Sequence, residues 1–173
     1  ILMMGLYMAL RPPLEDTGNG TAEAMLYPRL ISLVLTYVLL SAVDLRLRII
    51  PDEVLLLYLI SQLLMASSYI SFSALLLELI VGLIFLFILF FAAWEFKGRI
   101  GLGDTKLMGV TAMTAGIGYT LSMVFMAFML SFVYSVIVLL IKKKNRKDEI
   151  PFVPFLTIGM LLQLMILGFG GRT

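Results

Sequence analysis

The chain has 173 residues, of which 61% are hydrophobic and 14% charged, with a mean hydropathy of +1.07; ordinary soluble domains carry about 25% charged residues. That excludes a soluble globular protein and predicts an all-α, polytopic membrane bundle of about six transmembrane helices of roughly 20 residues each. The net charge of +2 excludes little, but the absence of cysteine and histidine excludes disulfides, thiolate nucleophiles, Ser-His-Asp chemistry and most zinc catalysis. Any hydrolytic chemistry therefore rests on carboxylates, hydroxyls, lysine or water.

In chain order, Ile1 to Leu10 is apolar but too short to span, and reads as the tail of a truncated first helix. Arg11 to Gly20 is turn chemistry and reads as an exposed loop. A first clear span runs from about Ala24 to Val43 and stops at Asp44. Pro51 suits the opening of a second span, to about Ala66. After a turn at Ser67, Ser68 and Tyr69, a third span covers Phe72 to about Trp94, with Tyr69 and Trp94 at opposite interfaces. A fourth, from Asp104 to about Gly116, is rich in small residues that let helix backbones approach in lipid, so it is predicted to lie at the bundle centre. A fifth covers Tyr119 to Ile141 and a sixth Pro154 to Phe169. The whole is expected to form a single membrane-embedded unit over 1–173, with residues 1–28 as the truncated segment plus an extracytoplasmic loop and 29–170 as the bundle.

The charges set the orientation. Three loops on one face carry ten of the thirteen basic residues: Arg46 and Arg48; Lys97, Arg99 and Lys106; Lys142, Lys143, Lys144, Arg146 and Lys147. By the positive-inside rule this face is cytoplasmic and the protein sits in the plasma membrane as a multi-pass protein. Asp44 and Asp104 both fall at that face, one at the end of a span and one in the first turn of another. An acidic residue at the edge of the hydrocarbon is a candidate functional site. Gly101 and Gly103 allow a sharp turn and close approach just before Asp104.

Two carboxyls within hydrogen-bonding distance cannot both ionise easily; they share a proton and can polarise a water. One takes the water's proton as it attacks a peptide carbonyl, while the other donates towards the carbonyl oxygen and then the leaving nitrogen. Against this stands the simpler reading of Asp44 and Asp104 as solvated interface anchors. Lys106 is either an anchor for a charged substrate group or a snorkelling surface charge. Glu78 marks either an ion path or an interfacial or helix-to-helix hydrogen-bonding role. The methionines, among them Met108, Met113, Met123, Met126 and Met129, read as packing rather than metal ligands, and the Lys142 to Lys147 run as a topology signal near anionic headgroups.

Three motifs together resemble the type IV prepilin peptidase and preflagellin peptidase family of GxGD membrane aspartyl proteases. Gly101-Leu102-Gly103-Asp104-Thr105-Lys106-Leu107 is similar to its GxGD signature with the following lysine. Asp44 to Asp52, with Ile50-Pro51, resembles its first-aspartate motif. Ile150-Pro151-Phe152-Val153-Pro154-Phe155 resembles the loop before its last span.

The resemblance, over about Leu30 to Gly168, implies an aspartic-type endopeptidase with Asp44 and Asp104 catalytic. Gly101, Gly103, Lys106, Pro51, Pro151 and Pro154 would be motif or substrate-loop residues. It implies no cofactor and no metal, and its partners would be prepilin-like or archaellin-like precursors and the lipid bilayer, not nucleic acid. The short basic leader would be cut at the cytoplasmic face. Members with an N-terminal methyltransferase region carry a cysteine tetrad; this chain has no cysteine, so peptidase activity without N-methylation is expected. The competing reading is a small cation- or proton-coupled transporter with intramembrane carboxylates, or a structural subunit of a secretion machine.

Overall fold

The computed structural model describes residues 21–67, 70–95, 101–142 and 151–170. Six helices follow one another: α1 (Thr21–Leu47), α2 (Asp52–Ala66), α3 (Phe72–Glu95), α4 (Leu102–Ala115), α5 (Ile117–Lys142) and α6 (Val153–Gly170). All six predicted helices are present, and the protein is a polytopic helical bundle. The expected tail at Ile1–Leu10, the loop to Gly20, the Ser68–Tyr69 part of the turn, Lys97 and Arg99, Lys143 to Lys147 and Arg172 lie outside the described residues. Helix α1 begins at Thr21, a few residues ahead of the expected start near Ala24, so the boundary expected at residue 28 falls inside a helix, at Pro28.

Pro51 is the N-cap of α2, with φ −66° and Asp52 and Glu53 in the first turn; a residue without an N–H loses nothing there, and acids favour the positive end of the helix. Helix α1 ends differently. Arg48 adopts φ +54° while its N–H donates to the Asp44 carbonyl at 3.0 Å, a left-handed cap usually taken by glycine. Between α4 and α5 the only residue is Gly116, at φ +86°; a side chain there would be strained, so glycine makes the one-residue reversal possible.

Among the described residues, Pro28–Leu47, Phe72–Glu95 and Ile117–Ile141 are long and apolar enough to cross a membrane alone. With 15 and 14 residues, α2 and α4 reach only about 21–23 Å at 1.5 Å per residue, short of the roughly 30 Å hydrocarbon core. The shortfall is accommodated by burial for α4, where nine residues from Thr105 to Ala115 are buried, as its small side chains predict. Helix α3 is its opposite, burying only Gly82 and Ala93 and turning leucines and phenylalanines outward.

Helices α3 and α4 make the most extensive packing in the bundle. Gly82 faces the Met113 backbone and Gly109 faces Leu86, so closely that a Cβ at either glycine would collide. The two pairs are antiparallel, and dispersion between backbones at this range substitutes for the hydrophobic drive that lipid removes. Helix α1 packs on α2 and α6, and α4 also touches α2 and α5. The core between them holds Tyr37, Leu40, Leu107, Tyr119, Met123, Leu156 and Met160. Met108, Met113 and Met123 are buried and Met129 is exposed, as the packing reading of the methionines requires.

Candidate active site

Asp44 lies in the last turn of α1 and is 7% exposed. Its Oδ2 accepts the backbone N–H of Val153 at 3.2 Å. Val153 is the first residue of α6, whose opening N–H groups have no partner inside the helix. Asp44 therefore caps a helix 109 residues away, and the cap fixes the carboxyl's direction. Arg48, one turn further on, is an electrostatic neighbour of the same carboxyl.

Asp104 occupies the first turn of α4 and is half-buried. The helix starts at Leu102, two residues ahead of the predicted start, with Gly101 as N-cap in extended backbone and no side-chain cap. A Cβ on Gly101 would come to 2.8 Å from Asp104 Oδ2; the missing side chain is what gives that carboxyl its position. The Thr105 hydroxyl donates to the Gly101 carbonyl at 3.0 Å, tightening the same turn.

The two carboxyls share one end of the bundle, near enough for the charge of Asp44 to act on Asp104. Two contacts bring α4 to the end of α1. A Cβ on Gly103 would stand 3.1 Å from the Ile50 side chain, so the second glycine of the motif lets the helix start pack on the 48–51 connection. Lys106 Nζ meets both oxygens of Asp52 at 2.8 Å, joining the first turns of α4 and α2. Of the two sequence readings of Lys106, neither anticipated this partner, and with both side chains more than a third exposed the pair is a weak clamp.

The remaining motif residues surround this end. Pro51 caps α2, Pro151 immediately precedes the turn into α6, and Pro154 is the second residue of α6, where a missing N–H breaks no helix hydrogen bond. Phe152 packs at a tilt against Phe128 of α5 with ring centroids 5.0 Å apart, and Phe155 against Tyr134 at 5.4 Å, so aromatic contacts hold the α6 entry that supplies the Val153 N–H.

Two turns deeper lies a layer of hydroxyls that sequence reasoning missed. Tyr37 of α1 bonds to Thr111 of α4 at 2.6 Å, and Tyr58 of α2 to Thr114 of α4 at 3.2 Å. The small-residue pattern of α4 singled out Thr111 and Thr114 only as packing residues. Glu78, the other candidate, is at the opposite end from the aspartates. It lies within electrostatic reach of Arg29, which donates to Gln62 at 3.0 Å.

Fold and site together define a class: a helical membrane protein with two carboxyls gathered at one end of a bundle whose central helix is short and buried. Residues 31–136 match the type IV leader peptidase family. That is more than half of the chain, and the chain belongs to this family, which makes it a membrane peptidase. No curated protein and no solved structure matches it.

Proposed function

We propose that this leader peptidase is an aspartic-type endopeptidase that removes the short basic leader from prepilin-like or archaellin-like precursors at the cytoplasmic face of the plasma membrane. Asp44 and Asp104 activate the water. The observation that carries the reading is that Asp44, in the last turn of α1, and Asp104, in the first turn of α4, stand at one end of the bundle, where Gly103 packs on Ile50 and Lys106 meets Asp52.

In the reaction, one aspartate is ionised and the other protonated, because two adjacent carboxylates repel. The ionised one takes a proton from water as the water oxygen bonds to the scissile carbonyl carbon, and the protonated one donates to the carbonyl oxygen. Collapse of the tetrahedral intermediate breaks the C–N bond, and the amine leaves with a proton from the dyad. The bond between Val153 N–H and Asp44 holds one carboxyl oriented, and Gly101 leaves the room in which the Asp104 carboxyl turns. The basic residues Arg46, Arg48 and Lys106 stand at the same end, as the positive-inside rule requires of a cytoplasmic face.

The test is cleavage of a prepilin-like precursor in reconstituted membranes by the Asp44→Asn and Asp104→Asn variants. Each should be folded and lose cleavage by about a hundred- to ten-thousandfold, the scale expected when a general acid or base is removed. Near-normal cleavage by either removes the pair from the mechanism.

A further inference from the structure

We infer that Tyr37 and Thr111 are positioning residues for the aspartate pair: their hydrogen bond sets the register of α1 against α4 that brings Asp44 and Asp104 to one level. The inference rests on the catalytic reading of the two aspartates.

Tyr37 precedes Asp44 by seven residues, and Thr111 follows Asp104 by seven. Seven residues are two turns, off by only about 20°, and rise about 10 Å. Asp44 therefore stands over Tyr37 on one face of α1, and Asp104 over Thr111 on one face of α4. Because the helices enter this layer from opposite chain directions, equal spacing from one shared bond puts both carboxyls at equal depth.

The bond is built for that purpose. Both residues are fully buried, and their oxygens are 2.6 Å apart. The Thr111 hydroxyl also approaches the Leu107 carbonyl at 2.8 Å, which takes its proton; the proton between the pair is therefore the tyrosine's. The Thr157 hydroxyl of α6 lies between the Tyr37 carbonyl at 3.1 Å and the Val153 carbonyl at 3.0 Å, while Val153, one turn earlier, donates its N–H to Asp44. Tyr37 thus ties α1 to α4 through its side chain and to α6 through its backbone. A slip of one residue along α1 would leave the buried Tyr37 hydroxyl unpaired, while Thr111 kept the Leu107 carbonyl, and that loss opposes it. Phenylalanine would fill the same volume, so packing alone does not call for the hydroxyl.

The experiment compares Tyr37→Phe, Thr111→Val, their double variant and Tyr58→Phe in reconstituted membranes. Tyr58→Phe is the control: it removes a comparable buried bond that joins α4 to α2 rather than to α1. Tyr37→Phe and Thr111→Val should each lower kcat by about ten- to a hundredfold, the effect of misplacing catalytic groups by an ångström or less. KM should stay within about twofold, since substrate binding is untouched. The double variant should be no worse than the more impaired single one, because one bond is lost in all three. Tyr58→Phe should lower the melting temperature but not kcat.

A readout independent of cleavage uses the absence of native cysteine. In chains carrying Asp44→Cys with Asp104→Cys, disulfide formation should slow when Tyr37→Phe or Thr111→Val is added, and not when Tyr58→Phe is added. Unchanged kcat and unchanged cross-linking in both pin variants would overturn the inference, as would equal kcat losses in Tyr58→Phe. If Tyr37→Phe does not insert, Thr111→Val decides alone. Loss of cleavage in Asp44→Asn beside normal pin variants rejects the pin and leaves the dyad; normal cleavage in Asp44→Asn rejects the dyad, and the cross-linking rates then judge the pin.

Discussion

Asp44 and Val153 are joined by a hydrogen bond from the Val153 N–H to the Asp44 carboxyl at 3.2 Å, between the last turn of α1 and the first residue of α6. A side chain that caps a neighbouring helix does structural work beside any chemistry it performs, and the two roles separate by substitution.

Asparagine keeps an oxygen acceptor for that N–H and alanine does not. Asp44→Asn should melt close to the unaltered protein in detergent, while Asp44→Ala should lose about 1–2 kcal/mol, the usual cost of removing a cap and leaving a buried donor unpaired. Equal melting temperatures for the two variants would show that the cap contributes nothing.

The glycines of the α3 and α4 contact should be intolerant in a graded way. A Cβ at Gly82 would lie 2.5 Å from the backbone N and Cα of Met113, and backbone cannot rotate aside. Gly82→Ala should therefore destabilise by about 1–3 kcal/mol, as overpacking does. Gly101→Ala meets only the Asp104 carboxyl, at 2.8 Å, so it should turn that side chain and reduce cleavage while shifting the melting temperature much less. Thermal melts and cleavage rates of both variants, measured side by side, check the contrast.

Arg48 gives a conformational prediction. Its φ of +54° costs an L residue about 1–2 kcal/mol that glycine does not incur, offset in part by glycine's greater freedom in the unfolded chain. Arg48→Gly and Arg48→Ala both remove the guanidinium, so their difference isolates the backbone. The glycine variant should be the more stable by about 0.5–1 kcal/mol, read from the difference in melting temperature; an alanine variant equal or better would contradict the left-handed cap.

The Lys106 and Asp52 pair, with side chains 38% and 67% exposed, should show a coupling below about 1 kcal/mol in a double-mutant cycle with Lys106→Met and Asp52→Asn. About 1 M salt should abolish most of it, the Debye length there being near 3 Å. A coupling that survives such salt would mean that the pair is less accessible to water than its exposure indicates.

The sequence by itself determined the class of protein, the number and order of the helices among the described residues and the helix ends at which Asp44 and Asp104 lie. Those signals are local: apolar runs long enough for lipid, Pro51 opening one helix, glycines before Asp104, and basic loops on one side. The burial of α4 was legible too, from its small residues. Helix limits drifted by a few residues, as at Thr21 and Leu102, because the N-terminal turn of a helix is only weakly encoded.

The tertiary structure alone decided which residues meet. Val153 under Asp44, Asp52 beside Lys106, and Tyr37 against Thr111 join positions 109, 54 and 74 residues apart. In a bundle whose helices are apolar nearly all round, no hydrophobic stripe announces which face turns inward. Rotation and register are settled instead by close glycine contacts and by pairings such as Tyr37 with Thr111 and Val153 with Asp44, and both exist only once the helices are packed.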